Sequence, residues 1–170
     1  MAKFSLDKQI GRGYDRYATE SVAYLMLKLS KKADYGLIAM KHLALQSSGE
    51  TSSAADIAEA YGISAPLMAK VLQKLAKGGL VAARHGSSGG YSLAKNPAEI
   101  SALEVINAID GPLFITSCFT SRGECTQTPT CTVREPLRRV NDNILRVLST
   151  LTISQLIEDN HGSEVVELQA

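Results

Sequence analysis

Apolar positions recur at helical spacing from Leu29 to Leu45, through Ala33, Leu37, Ile38, Met40, Leu43 and Ala44. A period near 3.6 residues predicts an amphipathic helix, with Ser30 placed as its N-cap. Ser47-Ser48-Gly49-Glu50 breaks the pattern as a loop. A second helix is predicted over Ala54–Tyr61, where Ser53 and Asp56 stand at capping-box spacing with Asp in place of Glu or Gln. Gly62 closes it. Ser64 opens a third helix that ends at Lys77, and Pro66 falls in its first turn, where a missing N–H costs little. Leu67, Val71, Leu72 and Leu75 form its predicted buried stripe. Two short helices around a tight Gly turn make the helix-turn-helix pattern.

Leu80–Ala83 then reads as a short strand, Arg84–Gly90 as a glycine-rich tip, and Tyr91–Leu93 as the returning strand. A hairpin directly after a recognition helix predicts a wing. Further on, Leu103, Val105, Ile106 and Ile109 mark a helix over Ser101–Ile109, which Asp110-Gly111-Pro112 ends. A loop over 117–132 precedes a long helix from Val133 to Leu151. Leu137, Val140, Ile144, Leu145, Val147 and Leu148 give that helix a wide apolar stripe. Such a helix has more apolar face than a small winged helix can cover, so it reads as a dimerisation helix. A short helix over Ile153–Glu158 and a frayed tail follow.

The predicted fold is therefore mainly α with a small β-hairpin wing: a winged helix-turn-helix plus a long dimerisation helix. Its segments are a disordered N-terminal extension at 1–25, the DNA-binding domain at 26–96 and a connecting helix at 97–116. A cysteine loop at 117–132, the dimerisation helix with the short C-terminal helix at 133–160, and a tail at 161–170 complete it.

Composition narrows the class. Of 170 residues, 45% are hydrophobic and 21% charged, which excludes wholesale disorder. No apolar run approaches the roughly 20 residues that span a bilayer, and the N-terminus lacks a secretory h-region. The expectation is a cytoplasmic protein without membrane partners. The net charge of +1 hides an asymmetry: 26–96 carries nine Lys/Arg against four Asp/Glu, and 97–170 carries five against ten. A basic half joined to an acidic half suits a polyanion-binding module. Lys70, Lys74 and Lys77 share one face of the third helix. Such a row marks either a solvated surface or phosphate contacts, and the adjoining turn and wing favour the second. Arg84 and His85 sit where a wing meets a backbone or minor groove. With Ser64 and Tyr91 these make up the predicted DNA-binding set.

No phosphate-loop or dinucleotide fingerprint is present, and His42, His85 and His161 are scattered. Neither an enzyme nor a small-molecule substrate is indicated.

Cys118, Cys125 and Cys131 are the only cysteines, three thiols within fourteen residues. In a reducing compartment they read as ligands or sensors. Thiolates suit soft metals. Zinc is a rival, but structural zinc sites favour C-x₂₋₄-C spacing, whereas the longer gaps here suit an iron–sulfur cluster. A fourth ligand must be His, a carboxylate or exogenous.

The stretch from Leu27 to about Glu158 resembles the winged-helix iron–sulfur-sensing transcription regulators typified by IscR, RirA and NsrR. The residues that carry the likeness are Leu29-Ser30-Lys31-Lys32-Ala33-Asp34-Tyr35-Gly36, Ala55-Asp56-Ile57-Ala58, Gly79-Leu80-Val81, Gly89-Gly90-Tyr91-Ser92-Leu93 and the three-cysteine loop. Within this group the chain looks most like the regulator of the SUF cluster-assembly operon. The resemblance implies a homodimeric repressor or activator, read here as a repressor of cluster-assembly genes, that binds double-stranded operator DNA through helix and wing, their arrangement shifting with cluster state. It implies a cluster on Cys118, Cys125 and Cys131, with [2Fe–2S] favoured and [4Fe–4S] open. Two departures matter. The His that IscR-like members carry three residues after the last cysteine is Arg134 here, which cannot ligate. The Asp that NsrR-like members supply from the partner subunit corresponds to Asp34. Alternatives are a nitric-oxide or redox sensor using the same cluster, and an iron–sulfur scaffold or carrier without DNA function.

Overall fold

A computed structural model describes residues 29–158, apart from 48, 85, 87–88 and 121–124. The N-terminal extension, the 161–170 tail, His85 and His161 lie outside the described residues. The elements run α1 (Lys31–Ala44), α2 (Ala54–Ala60), α3 (Ala65–Lys77), β1 (Val81–Arg84), β2 (Gly90–Leu93), α4 (Ala102–Asp110), α5 (Arg134–Thr150) and α6 (Ile153–Glu158). Helical 3₁₀ turns at Pro97–Glu99 and Ser117–Phe119 lie in the connections. Among the described residues the fold is mainly α with one antiparallel hairpin, as the pattern predicts.

Local chemistry sets the helix starts. Ser30 Oγ accepts the Ala33 N–H at 3.1 Å. Ser53 Oγ accepts the Asp56 N–H while the Asp56 carboxylate accepts the Ser53 N–H at 2.9 Å, so the capping box forms with Asp in it. A second box, Ser101 with Glu104, starts α4. Each such cap contributes about 1 kcal/mol.

The core lies where α1, α3 and α4 meet, around Met40, Ile57, Met68, Leu72, Leu75, Val105 and Ile109. In α3 the buried set is Met68, Val71, Leu72 and Leu75, an i, i+3, i+4, i+7 stripe. Leu67, predicted for that stripe, is only half-buried at its margin, because the contact with α1 and α4 centres one residue later. Between α2 and α3, Gly62 takes φ +63°, a conformation that L side chains rarely adopt, and the Ile63 N–H closes on the Ala58 carbonyl at 2.9 Å.

The hairpin pairs Val81 with Leu93 and Arg84 with Gly90. It is docked to the body. Ser52 and Tyr91 exchange both backbone hydrogen bonds, at 3.1 and 2.9 Å. A Cβ on Gly90 would stand 2.8 Å from the Ser52 carbonyl oxygen, so only glycine permits this approach. After α5 the chain returns: Leu151 O accepts the Ala102 N–H at 2.8 Å, and α6 packs on α1 with Ile153 fully buried.

Candidate functional site

The lysine face is real but not uniform. Lys70, Lys74 and Lys77 are exposed on α3. Together with Lys32 of α1, Leu67 and Gln73, they line an open groove of about 330 Å³. Sequence reading missed Lys32, which no spacing rule connects to α3. The Lys74 ammonium donates to the Ile109 carbonyl in the last turn of α4, where the helix dipole favours a cation. Lys74 is thus engaged within the protein, while Lys70 and Lys77 continue the basic face. Ser64 is the exposed N-cap of α3, and its hydroxyl makes no capping hydrogen bond.

The wing residues divide likewise. Arg84 is the last residue of β1 rather than part of the tip, and its guanidinium donates to the Gly49 carbonyl at 3.3 Å. Tyr91 is half-buried and packs against the core. Below it the Ser52 hydroxyl lies 3.2 Å from His42 Nε2, and the His42 ring stands edge-on to Tyr61 at 5.7 Å. Tyr91 and His42 therefore hold the wing in place.

The three cysteines are half-buried and unpaired by disulfides. Cys118 sits in the 3₁₀ turn, its Sγ 2.9 Å from Thr116 Oγ1. The Cys125 carbonyl accepts the Thr128 hydroxyl at 2.7 Å. Cys131 lies three residues before α5. In chemistry the set suits an iron–sulfur centre: three soft thiol donors on one loop. Among the described residues no group of three or more His, Cys, Asp or Glu converges into a cage. Asp34 is half-buried in the first turn of α1, its backbone N–H on the Ser30 carbonyl. Arg134 is exposed at the start of α5.

The predicted stripe of α5 separates into two faces. Leu148 packs on the chain's own core and Asn141 is buried. Val133, Val140 and Val147 are 57%, 48% and 64% exposed, and Leu137, Ile144 and Leu151 are half-buried between them. Positions 133, 137, 140, 144, 147 and 151 alternate four- and three-residue steps, the spacing of a heptad seam. A third, solvent-facing side carries Arg138, which pairs with Glu135 at 2.6 Å and Asp142 at 2.8 Å.

Comparison with known proteins places this arrangement. The model of the Rrf2 family, iron-dependent transcriptional regulators, matches residues 29–159. The chain is 34% identical over 134 residues to the HTH-type transcriptional regulator NsrR of Geobacillus kaustophilus, covering 78% of this chain and 91% of that one. It is 33% identical over 143 residues to the HTH-type transcriptional regulator IscR of Vibrio atlanticus, covering 84% and 82%. Among solved structures it is similar to CymR, the global cysteine regulator of B. subtilis, with a TM-score of 0.65 and 28% identity over 78% of this chain and 98% of that one. T. potens IscR gives a TM-score of 0.64 and 28% identity, covering 83% and 93%.

Proposed function

The chain belongs to the Rrf2 family of transcriptional regulators and is not an enzyme, and on that premise we propose that it is a dimeric, cluster-sensing repressor of iron–sulfur cluster-assembly genes. The observation that carries this reading is continuity: a lysine-bearing helix-turn-helix, a loop with three free thiols and an exposed heptad seam follow one another in one chain.

The residues divide the work. Lys70, Lys77 and Lys32 meet phosphates, and Ser64 offers a hydroxyl at the N-terminus of α3 as that helix enters the major groove. Arg84 and the wing lie beside it. Cys118, Cys125 and Cys131 hold the cluster, of [2Fe–2S] type on this reading, and the partner's Asp34 supplies the fourth ligand. When bound, the cluster supplies a redox- and oxygen-sensitive junction between the thiolates. Val133, Val140, Ile144 and Val147 of two protomers form the seam. Such a protein works in the cytoplasm; among the described residues no helix is long and apolar enough to cross a membrane.

A second reading, a nitric-oxide or redox sensor, is favoured by one pair of residues, Arg134 where IscR-like members carry His and Asp34 where NsrR-like members carry Asp. The test of both is anaerobic reconstitution with iron and sulfide counted per chain, a visible and Mössbauer spectrum, and titration onto duplex DNA over a range of salt. Stoichiometric iron and sulfide with salt-dependent DNA binding is the expected result, and bleaching by nitric oxide with release of DNA selects the second reading. A chain that takes up no sulfide, or that ignores DNA, overturns the proposal.

A further inference from the structure

Along α5 the apolar residues are half-buried or exposed, and Asn141, at 5% exposure, is its buried residue. A primary amide is a costly occupant of such a place unless it is hydrogen-bonded. Leucine there would continue the face on which Leu148 meets the core, so the amide needs a reason. Its Oδ1 accepts the backbone N–H of Ile115 at 3.2 Å. Ile115 lies in the stem between α4 and the 3₁₀ turn of Cys118. The next residue, Thr116, closes that turn twice. Its carbonyl accepts the Phe119 N–H at 3.3 Å, and its hydroxyl lies 2.9 Å from Cys118 Sγ. A run of contacts thus leads from α5 through Ile115 and Thr116 to the Cys118 sulfur. On α5 itself, Asn141 adjoins Val140 and lies within a turn of Ile144, both of which belong to the open seam.

We propose that Asn141 is the positioning residue that couples the cysteine loop to the dimer seam. It fastens the Cys118 end of the loop to α5. Drawing Cys125 and Cys131 toward Cys118 then pulls on a helix rather than on a free strand. The coupling rests on the reading of this loop as a cluster site, and it is reciprocal: whatever cluster binding does to dimer affinity, dimerisation does to cluster affinity.

The test uses the full chain, cluster-free and anaerobically reconstituted. Asn141→Leu keeps the branched four-atom side chain and removes the acceptor, and Asn141→Asp keeps an acceptor and serves as the conservative rescue. Thr116→Val removes the contact to Cys118 from an irregular segment, so it remains informative should Asn141→Leu fail to fold. In cluster-free Asn141→Leu the Ile115 amide should exchange on the order of tenfold faster, the factor an ordinary hydrogen bond represents. The second readout is the ratio of dimer dissociation constants with and without cluster, by sedimentation equilibrium. That ratio should differ from one in the wild type, fall toward one in Asn141→Leu and Thr116→Val at unchanged iron and sulfide content, and return in Asn141→Asp. An unchanged ratio in both variants, or a wild-type ratio of one, overturns the coupling. Absence of iron and sulfide in the wild type overturns the underlying reading instead, and the metal count tells the two failures apart.

Discussion

Val147→Asp should convert the dimer to a monomer while leaving the protomer folded. In the single chain Val147 is 64% exposed and Val140 is 48% exposed on the same face. Burying a whole valine side chain contributes about 1.5–3 kcal/mol, so the exposed half to two-thirds leaves about 1 kcal/mol for a partner to cover. Twofold symmetry counts each substitution twice. Truncation to Ala should therefore cost about 2 kcal/mol of dimer stability, roughly thirtyfold in dissociation constant. Aspartate adds the desolvation of two carboxylates, which raises the effect to several hundredfold or more. The control is one residue along. Leu148 packs on the chain's own core, so Leu148→Asp should unfold the protomer. Sedimentation velocity across a concentration series, with far-ultraviolet circular dichroism alongside, separates the two. A Val147→Asp protein that dimerises with the wild-type constant refutes the seam, and so does equal loss of structure in both variants.

Lys70→Ala and Lys77→Ala should each lower the slope of log affinity against log salt by about 1 on any duplex. Lys74→Ala should leave that slope nearly unchanged and lower the melting temperature, because its ammonium is held by the Ile109 carbonyl; equal slopes for all three, read by fluorescence anisotropy, would contradict this. Cys118→Ala, Cys125→Ala and Cys131→Ala should each prevent stable incorporation of iron and sulfide with circular dichroism unchanged, and a variant that still loads stoichiometrically excludes its thiol as a ligand. Asp56 and Glu104 lie below their ordinary values of 3.8 and 4.5, first because each accepts its N-cap's backbone N–H, from Ser53 and Ser101. A depressed folded value gives stability that is complete above the unfolded value and lost as pH falls through the folded one. The melting temperature should hold from neutral pH to about 5 and decline below about 4, and Asp56→Asn with Glu104→Gln should flatten that decline if the caps cause it.

Features written within one turn of chain were legible in the sequence. Ser30, the Ser53–Asp56 box, Gly62 and the Gly-rich hairpin tip each need only their neighbours, and the structure has α1, α2, α3 and the hairpin within a residue or two of the predicted places. The Ser101–Glu104 box is equally local, but it overlaps the apolar run beginning at Leu103, whose periodicity is the stronger signal. What could not be read depends on packing across the fold. Met68 displaces Leu67 because of where α1 and α4 cross α3. The engagement of Lys74 by Ile109, and of Arg84 by Gly49, each joins residues 35 apart in the chain, beyond any spacing rule. The stripe of α5 read as one face because hydrophobicity alone does not say which residues the chain covers itself. Leu148 is covered by its own core and Val147 is not, although they are neighbours in sequence.

The way the wing is held decides how a signal from the cysteine loop can reach DNA. The family resemblance implies a dimer that shifts between two arrangements of helix and wing with the state of the loop. Ser52 and Tyr91, however, exchange both backbone hydrogen bonds, Gly90 lies against the Ser52 carbonyl, and Ser52 is in turn met by His42 of α1. To move the wing within a protomer those contacts must be broken together, each worth about 1 kcal/mol and left unsatisfied in a half-buried place. Helix and wing therefore travel as one body with α1. The loop, in contrast, runs from an α5-anchored stem at Ile115 back into the start of α5 at Arg134. Its leverage is on the helix that carries the seam, and so on the placement of one protomer against the other. Two recognition helices must be about 34 Å apart to read half-sites one turn of duplex apart, and DNA distinguishes dimers that differ in that spacing. On the proposed reading, a small rotation at α5, amplified by the distance from seam to α3, would supply the difference in affinity that a regulatory equilibrium requires, with no rearrangement inside the DNA-binding unit.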